Sequence, residues 1–151
     1  PSASLKDGGA ATIDDFCTII LEEANAEGVR GEVVFEQAML ETGWLQTVVI
    51  PEYLNIISLA LERPAGAVAG VSYPDVRTGI RAQVQHLKAY ACEDALNQDL
   101  MDTRFVHGDQ RECSICRMAG ASRRTRNGGG WAAGSNYGEK LRKLLSNLKA
   151  E

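Results

Sequence analysis

The residues best equipped for chemistry lie in Gln37-Ala38-Met39-Leu40-Glu41-Thr42-Gly43-Trp44. A carboxyl group beside an indole ring supplies the parts of a general acid. Burial against an aromatic wall keeps such an acid protonated near neutral pH, ready to give its proton to a leaving oxygen. Glu41 is expected in the last turn of a helix, where the carbonyl ends disfavour negative charge and so also favour the protonated form. The plainer reading makes Glu41 an ordinary solvated helix residue and Trp44 an anchor in the core. The other reactive groups are weaker candidates. Cys113-x-x-Cys116 with His107 nearby offers half a zinc site, but a closed structural site wants four ligands and the chain has no second CxxC or HxxxH. No metal and no cofactor is therefore expected. His86 sits on a helix face and reads as a surface or partly buried histidine, and Cys17 reads as core rather than as a reactive thiol.

The elements that must position these residues are helical. Thr12, three residues before Asp15, resembles a capping box with Asp in place of Glu. A helix is predicted from about Ile13 to Ala26, with Ile13, Phe16, Cys17, Ile20 and Ala24 inward, Glu22, Glu23 and Glu27 facing water, and Gly28 as the stop. The second predicted helix, Glu32 to about Thr42, buries Val34, Phe35, Ala38 and Met39 and ends at Gly43. A third runs from Pro74 to Ala91, with Val76, Ile80, Val84, Leu87, Lys88 and Ala91 repeating at three and four and Arg77, Arg81 and Gln85 outward. The last, Tyr137 to Leu148, is amphipathic through Leu141, Leu144, Leu145 and Leu148. Residues 1–11, with Gly8 and Gly9, read as linker or a frayed start, leaving 12–151 as one domain. Residues 47–69 and 106–130 carry no clean period and read as loop or short hairpin.

Three blocks carry a family resemblance. The first, Gln37 to Trp44, resembles the A-x-x-E-[ST]-G-W motif of the glucosaminidase superfamily, which includes the glycoside hydrolase family 73 autolysins. The second, Ser72 to Ala91, resembles the helix that follows the sugar-binding hairpin in Gram-positive members. The third, Gly130 to Gly138, resembles their closing W-A-x-x-x-N-Y-G motif. The blocks stand in the family's order between about Gly31 and Lys143. The resemblance implies an α+β, predominantly α-helical, lysozyme-like fold with a small β-hairpin lobe. It also implies an endo-β-N-acetylglucosaminidase that cleaves the β-1,4 bond after N-acetylglucosamine in peptidoglycan, with Glu41 as the acid. Trp44, Tyr73, Trp131 and Tyr137 match family aromatic positions that line the cleft or pack beneath it. A second carboxylate about 5 Å away would imply a covalent intermediate, and one about 6.5–9.5 Å away direct attack by water. Glu62 lies in the right region but the wrong context, and Asp75 belongs to the following helix start. Assistance by the substrate's acetamido group is the other route.

Between the first two blocks the sequence departs from the family, whose members read approximately G-G-D-x-x-x-x-Q-Y-N-F-x-G-L-G-A-T-G-G there. The genetic code connects the two. Asn55 to Gly66 (NIISLALERPAG), written in permitted codons and read two bases later, becomes Tyr-Asn-Phe-Thr-Gly-Leu-Gly-Ala-Thr-Gly-Gly. Glu112 to Gly120 (ECSICRMAG), read one base later, becomes Ser-Ala-Val-Tyr-Ala-Glu-Trp-Leu-Gly, the family's S-A-x-Y-x-E-W-L-G. Residues 47–66 and 106–126 thus read as out-of-frame translations, with Cys113 and Cys116 as accidents of the frame. A segment without selected periodicity has nothing with which to meet a core, so these stretches are expected to be the least well packed. The rival to the enzyme is a non-catalytic, glycan-binding relic of the fold.

Composition bounds the remaining classes. A chain of 151 residues fits one domain and can bury about two thirds of its unfolded surface without staples. With 16 basic against 20 acidic residues the net charge is −4, which gives no field for a nucleic acid partner. The basic clusters Arg117–Arg126 and Lys140–Lys149 read as solvated surface. The four cysteines form no disulfide framework. No stretch reaches the apolar length of a membrane span. Starting at Pro1, the chain reads as part of a longer polypeptide. It is expected to be a monomer that works on glycan strands outside the cell or in the wall, of bacterial or phage origin.

Overall fold

The computed structural model describes residues 3–45, 73–91, 94–102 and 137–148. Among these, the helices are α1 (Ala3–Asp7), α2 (Ile13–Glu27), α3 (Gly31–Thr42), α4 (Val76–Ala91) and α5 (Tyr137–Leu148). The described part is predominantly helical and contains no strand. The expected hairpin lobe, the two stretches read as out of frame (47–66 and 106–126) and the CxxC pair lie outside the described residues.

Local chemistry sets the helix ends. Thr12 Oγ1 accepts from the Asp15 N–H at 3.0 Å, and the Asp15 carboxylate accepts from the Thr12 N–H at 2.9 Å, which completes the capping box. Gly28 (φ 72°) closes α2, and the Val29 N–H reaches back to the Ala24 carbonyl at 2.9 Å. At the start of α4, Asp75 Oδ1 accepts from the Thr78 N–H at 2.7 Å. Helix α2 packs on both α3 and α4, and α5 packs on α3. Phe16, Ile20, Ala24, Val34, Ile80 and Leu87 sit in the shared core, to which α5 contributes Leu141.

The structure corrects several expectations of facing. The supposed linker carries α1, whose Leu5 is only 2% exposed and joins the core, while the Gly8 carbonyl accepts from the Val76 N–H at 2.9 Å. Ile13 and Leu148, expected inward, are exposed, because each lies at the end of its helix, beyond the neighbouring element's cover. Glu23, Glu27 and Gln85, expected outward, are buried, and so is His86. The cause is tertiary. Residues 94–102 lie across α2 and α4, bringing polar partners to these side chains: Gln85 Oε1 accepts from the Met101 and Asp102 N–H groups, and His86 Nδ1 lies 2.6 Å from Asp102 Oδ2.

Glu23 is the centre of a charged seam between α2 and α4. Arg81 grips it through Nε at 2.8 Å and Nη2 at 3.1 Å, Arg77 Nη1 donates at 3.0 Å, and Gln98 Nε2 donates at 3.0 Å. Burial pushes the Glu23 carboxyl up, but the hydrogen bonds from Arg81, Gln98 and Arg77, with the charge of Arg81, outweigh it and hold the carboxyl below the ordinary glutamate range. A folded-state value below the unfolded one, which is about 4.3, gives stability that is fully present above that pH. It is lost as pH falls through the folded value. The urea midpoints of wild type and Glu23→Gln are therefore expected to differ at pH 7 and to converge as pH drops below about 4.3. A gap of constant size between pH 7 and strong acid would refute the linkage.

Candidate active site

Glu41 occupies the last turn of α3, a helix held on one side by α2 and on the other by α5. Two buried amides add a polar tie between α3 and α4. Gln83 Nε2 donates to the Val34 carbonyl at 3.1 Å and to Gln37 Oε1 at 3.3 Å, so the helix that carries Glu41 is keyed to α4 one turn before it.

Beyond Glu41 the backbone turns sharply. Gly43, Trp44 and Leu45 have φ values of 56°, 62° and 63°, three successive left-handed residues. Glycine accepts this conformation freely, whereas each of the other two costs on the order of 1–2 kcal/mol. Four hydrogen bonds hold the turn. The Gly43 and Trp44 N–H groups reach the Met39 carbonyl, the latter at 2.8 Å. The Thr42 hydroxyl donates to the Ala38 carbonyl at 2.6 Å and accepts from the Leu45 N–H at 2.8 Å. Thr42 itself is fully buried, and Leu45 packs against the core. The result throws Trp44 outward at 62% exposure. Trp44 is therefore no core anchor, which removes half of the plainer reading of this motif.

Of the other aromatic positions, Tyr73 is 8% exposed and packs with Ala82 and Met101. Tyr137 begins α5, and Trp131 lies outside the described residues. Of the two carboxylates weighed as a second acid, Glu62 is outside the described residues, and Asp75 is engaged in capping α4. Cys17 is half-buried, and its thiol is pushed up by burial and by the charge of Asp14, so it is not an activated nucleophile. A surface cavity of about 380 Å³ opens beside α1, lined by Gly8, Gly9, Asp15, Thr18, Ile19, Asp75 and Arg77, none of them a predicted site residue. Among the described residues no group of three or more His, Cys, Asp or Glu side chains comes together in a metal-binding arrangement, and no helix is long and apolar enough to cross a membrane.

Sequence reasoning did not single out Thr42, although it lies inside the motif. A hydroxyl one turn after a free-running helical carbonyl, just ahead of Gly, was the available signal.

A family model described as mannosyl-glycoprotein endo-beta-N-acetylglucosaminidase matches residues 17–150. An uncharacterized protein of Borreliella burgdorferi is 29% identical over 130 residues, which is 85% of this chain and 59% of that relative. The chain thus spans less than two thirds of the length of the curated relative it matches. No solved structure matches the chain.

Proposed function

Because the chain belongs to the glucosaminidase family, whose model covers residues 17–150, we propose that it is a peptidoglycan hydrolase, an endo-β-N-acetylglucosaminidase with Glu41 as general acid. The observation that carries the reading is the placement of the motif. Glu41 lies in the last turn of a helix that packs into the core, and the turn directly after that helix presents a large exposed indole. Aromatic faces of this kind stack on the apolar faces of sugar rings. In the proposed reaction Glu41 gives its proton to the glycosidic oxygen as the bond to the anomeric carbon breaks. The positive charge left on the sugar is quenched by a second carboxylate, by the acetamido group or directly by water. Trp131 and Tyr137 would extend the cleft, and Tyr73 would support it by packing. We take the whole to be lysozyme-like, with a small hairpin lobe. Its place of action would be the cell wall or the medium, and it would act as a monomer.

Digestion of purified sacculi, read by mass spectrometry of the soluble fragments, tests this directly. The expected products end in reducing N-acetylglucosamine. Reducing N-acetylmuramic acid would overturn the choice of bond, and absence of new ends would overturn the enzyme. Release of glycans from a high-mannose glycoprotein instead would move the substrate class to the one in the family's description.

A second reading, the inactive relic, is favoured by residues 47–66, where the glycine-rich motif of the resembling proteins is missing. If the frame is the cause, the encoding DNA carries compensating insertions and deletions at the borders of 47–66 and 106–126. A chain re-encoded in the other frame across both segments is then expected to gain measurably in sacculus cleavage over the chain as it stands. Equal rates would count against the frame explanation.

A further inference from the structure

Two residues, Thr42 and Gly43, separate Glu41 in the last turn of α3 from the indole of Trp44, and the side chain of Thr42 faces inward. Thr42 is fully buried, its single hydroxyl proton is committed to the Ala38 carbonyl at 2.6 Å, and its oxygen accepts from the Leu45 N–H at 2.8 Å. The hydroxyl therefore cannot donate to a sugar without breaking the bond to its own helix. Its second bond leads to the far end of the left-handed turn, past Gly43 and Trp44, where a leucine packs against the core. Trp44 is thus bracketed by two tied residues, and its own N–H is tied to Met39 at 2.8 Å.

We infer that Thr42 is a positioning residue: its hydroxyl is the latch that holds the turn Gly43–Leu45 left-handed and so fixes Trp44 beside the last turn of α3. The inference rests on the proposed function for the claim that this geometry serves catalysis, but the latch itself can be read without any substrate. Thr42 acts through Leu45 and Trp44, not by touching the sugar. Thr42→Ser keeps the hydroxyl. Thr42→Val keeps the shape and removes both hydrogen bonds, and Thr42→Ala serves where valine disturbs the packing.

The full 151-residue chain, labelled with nitrogen-15, gives two readouts independent of activity: exchange of the Leu45 amide, and the position of the Trp44 indole N–H signal, one of two indoles in the chain. In wild type and Thr42→Ser the Leu45 amide is expected to be protected. In Thr42→Val it should exchange about tenfold faster and the indole signal should move, with the helical circular dichroism retained. On soluble glycan strands kcat should fall about a hundredfold in Thr42→Val with KM within about threefold, and recover in Thr42→Ser, as misplacement rather than lost binding requires. Unchanged Leu45 protection in Thr42→Val and Thr42→Ala would overturn the latch. A released latch with undiminished kcat would overturn its service to the site. A wild-type chain that cleaves nothing would overturn the proposed hydrolase alone, leaving the latch to stand or fall on the first two readouts.

Discussion

Glu41→Gln should leave the helical core in place and lower sacculus hydrolysis at least about a hundredfold, the range in which a positioned proton donor contributes. The amide has the size of the carboxyl but cannot give a proton to the leaving oxygen. The mutation falls in the last turn of α3, between Leu40, which packs against the core, and the buried Thr42. Thermal unfolding of the mutant is expected within a few degrees of wild type, since the substitution conserves shape and volume. The loss should appear in kcat and kcat/KM together, because the interaction is made only as the bond breaks. Equal rates of release of reducing ends by wild type and mutant would remove Glu41 from the chemistry. A mutant that fails to fold would make it a structural carboxylate.

The largest expected effect on stability lies elsewhere, at the buried pair Glu27–Lys88. Lys88 Nζ donates to Glu27 Oε2 at 2.8 Å and to the Ala95 carbonyl at 2.7 Å, and both side chains are almost wholly removed from water. The Glu27 carboxylate also accepts from the Asn97 N–H at 2.9 Å and the Gln98 N–H at 2.9 Å. One carboxylate thus joins α2 to α4 and pins the segment that crosses them. Removing one partner of such a pair strands a buried charge, at a cost of about 3–5 kcal/mol, a large share of the 5–15 kcal/mol that holds a domain together. Glu27→Ala should cost at the upper end of that range, since it frees the ammonium and two backbone donors at once. Lys88→Met should cost less, because the carboxylate keeps its two N–H donors and the methionine fills the volume of the lysine stem. Urea unfolding at constant slope measures both. Losses below about 1 kcal/mol in both mutants would mean that water or the segment itself relaxes around the charge.

The same two helices divide what a one-dimensional reading captures from what it misses. Helix α2 begins at Thr12 with its capping box and ends at Gly28, both legible because a cap concerns residues three or four apart. The apolar positions Phe16, Ile20 and Ala24 follow the helical period into the core for the same reason. Glu23 and Glu27 break that period only in appearance. Their partners stand 54 to 75 residues away, and no local rule assigns a carboxylate to the interior without knowing that an arginine or a backbone N–H will meet it. The burial of His86 is likewise set by a partner beyond the reach of local rules, Asp102, which stands 16 residues away.

For the candidate site the division is similar. The order and spacing of Glu41, Thr42, Gly43 and Trp44 are properties of the chain, and with the blocks at Ser72–Ala91 and Gly130–Gly138 they carry the family resemblance that the match over residues 17–150 bears out. That Trp44 faces solvent, that Thr42 faces inward and that Leu45 ties the turn to the core were decided by three left-handed residues in a row. Sequence predicts such a conformation for glycine alone. In tryptophan and leucine the strain is offset by local hydrogen bonds between residues 38 and 45 and by the packing of Leu45 on the core and the burial of Thr42, and that packing exists only once α3 has docked.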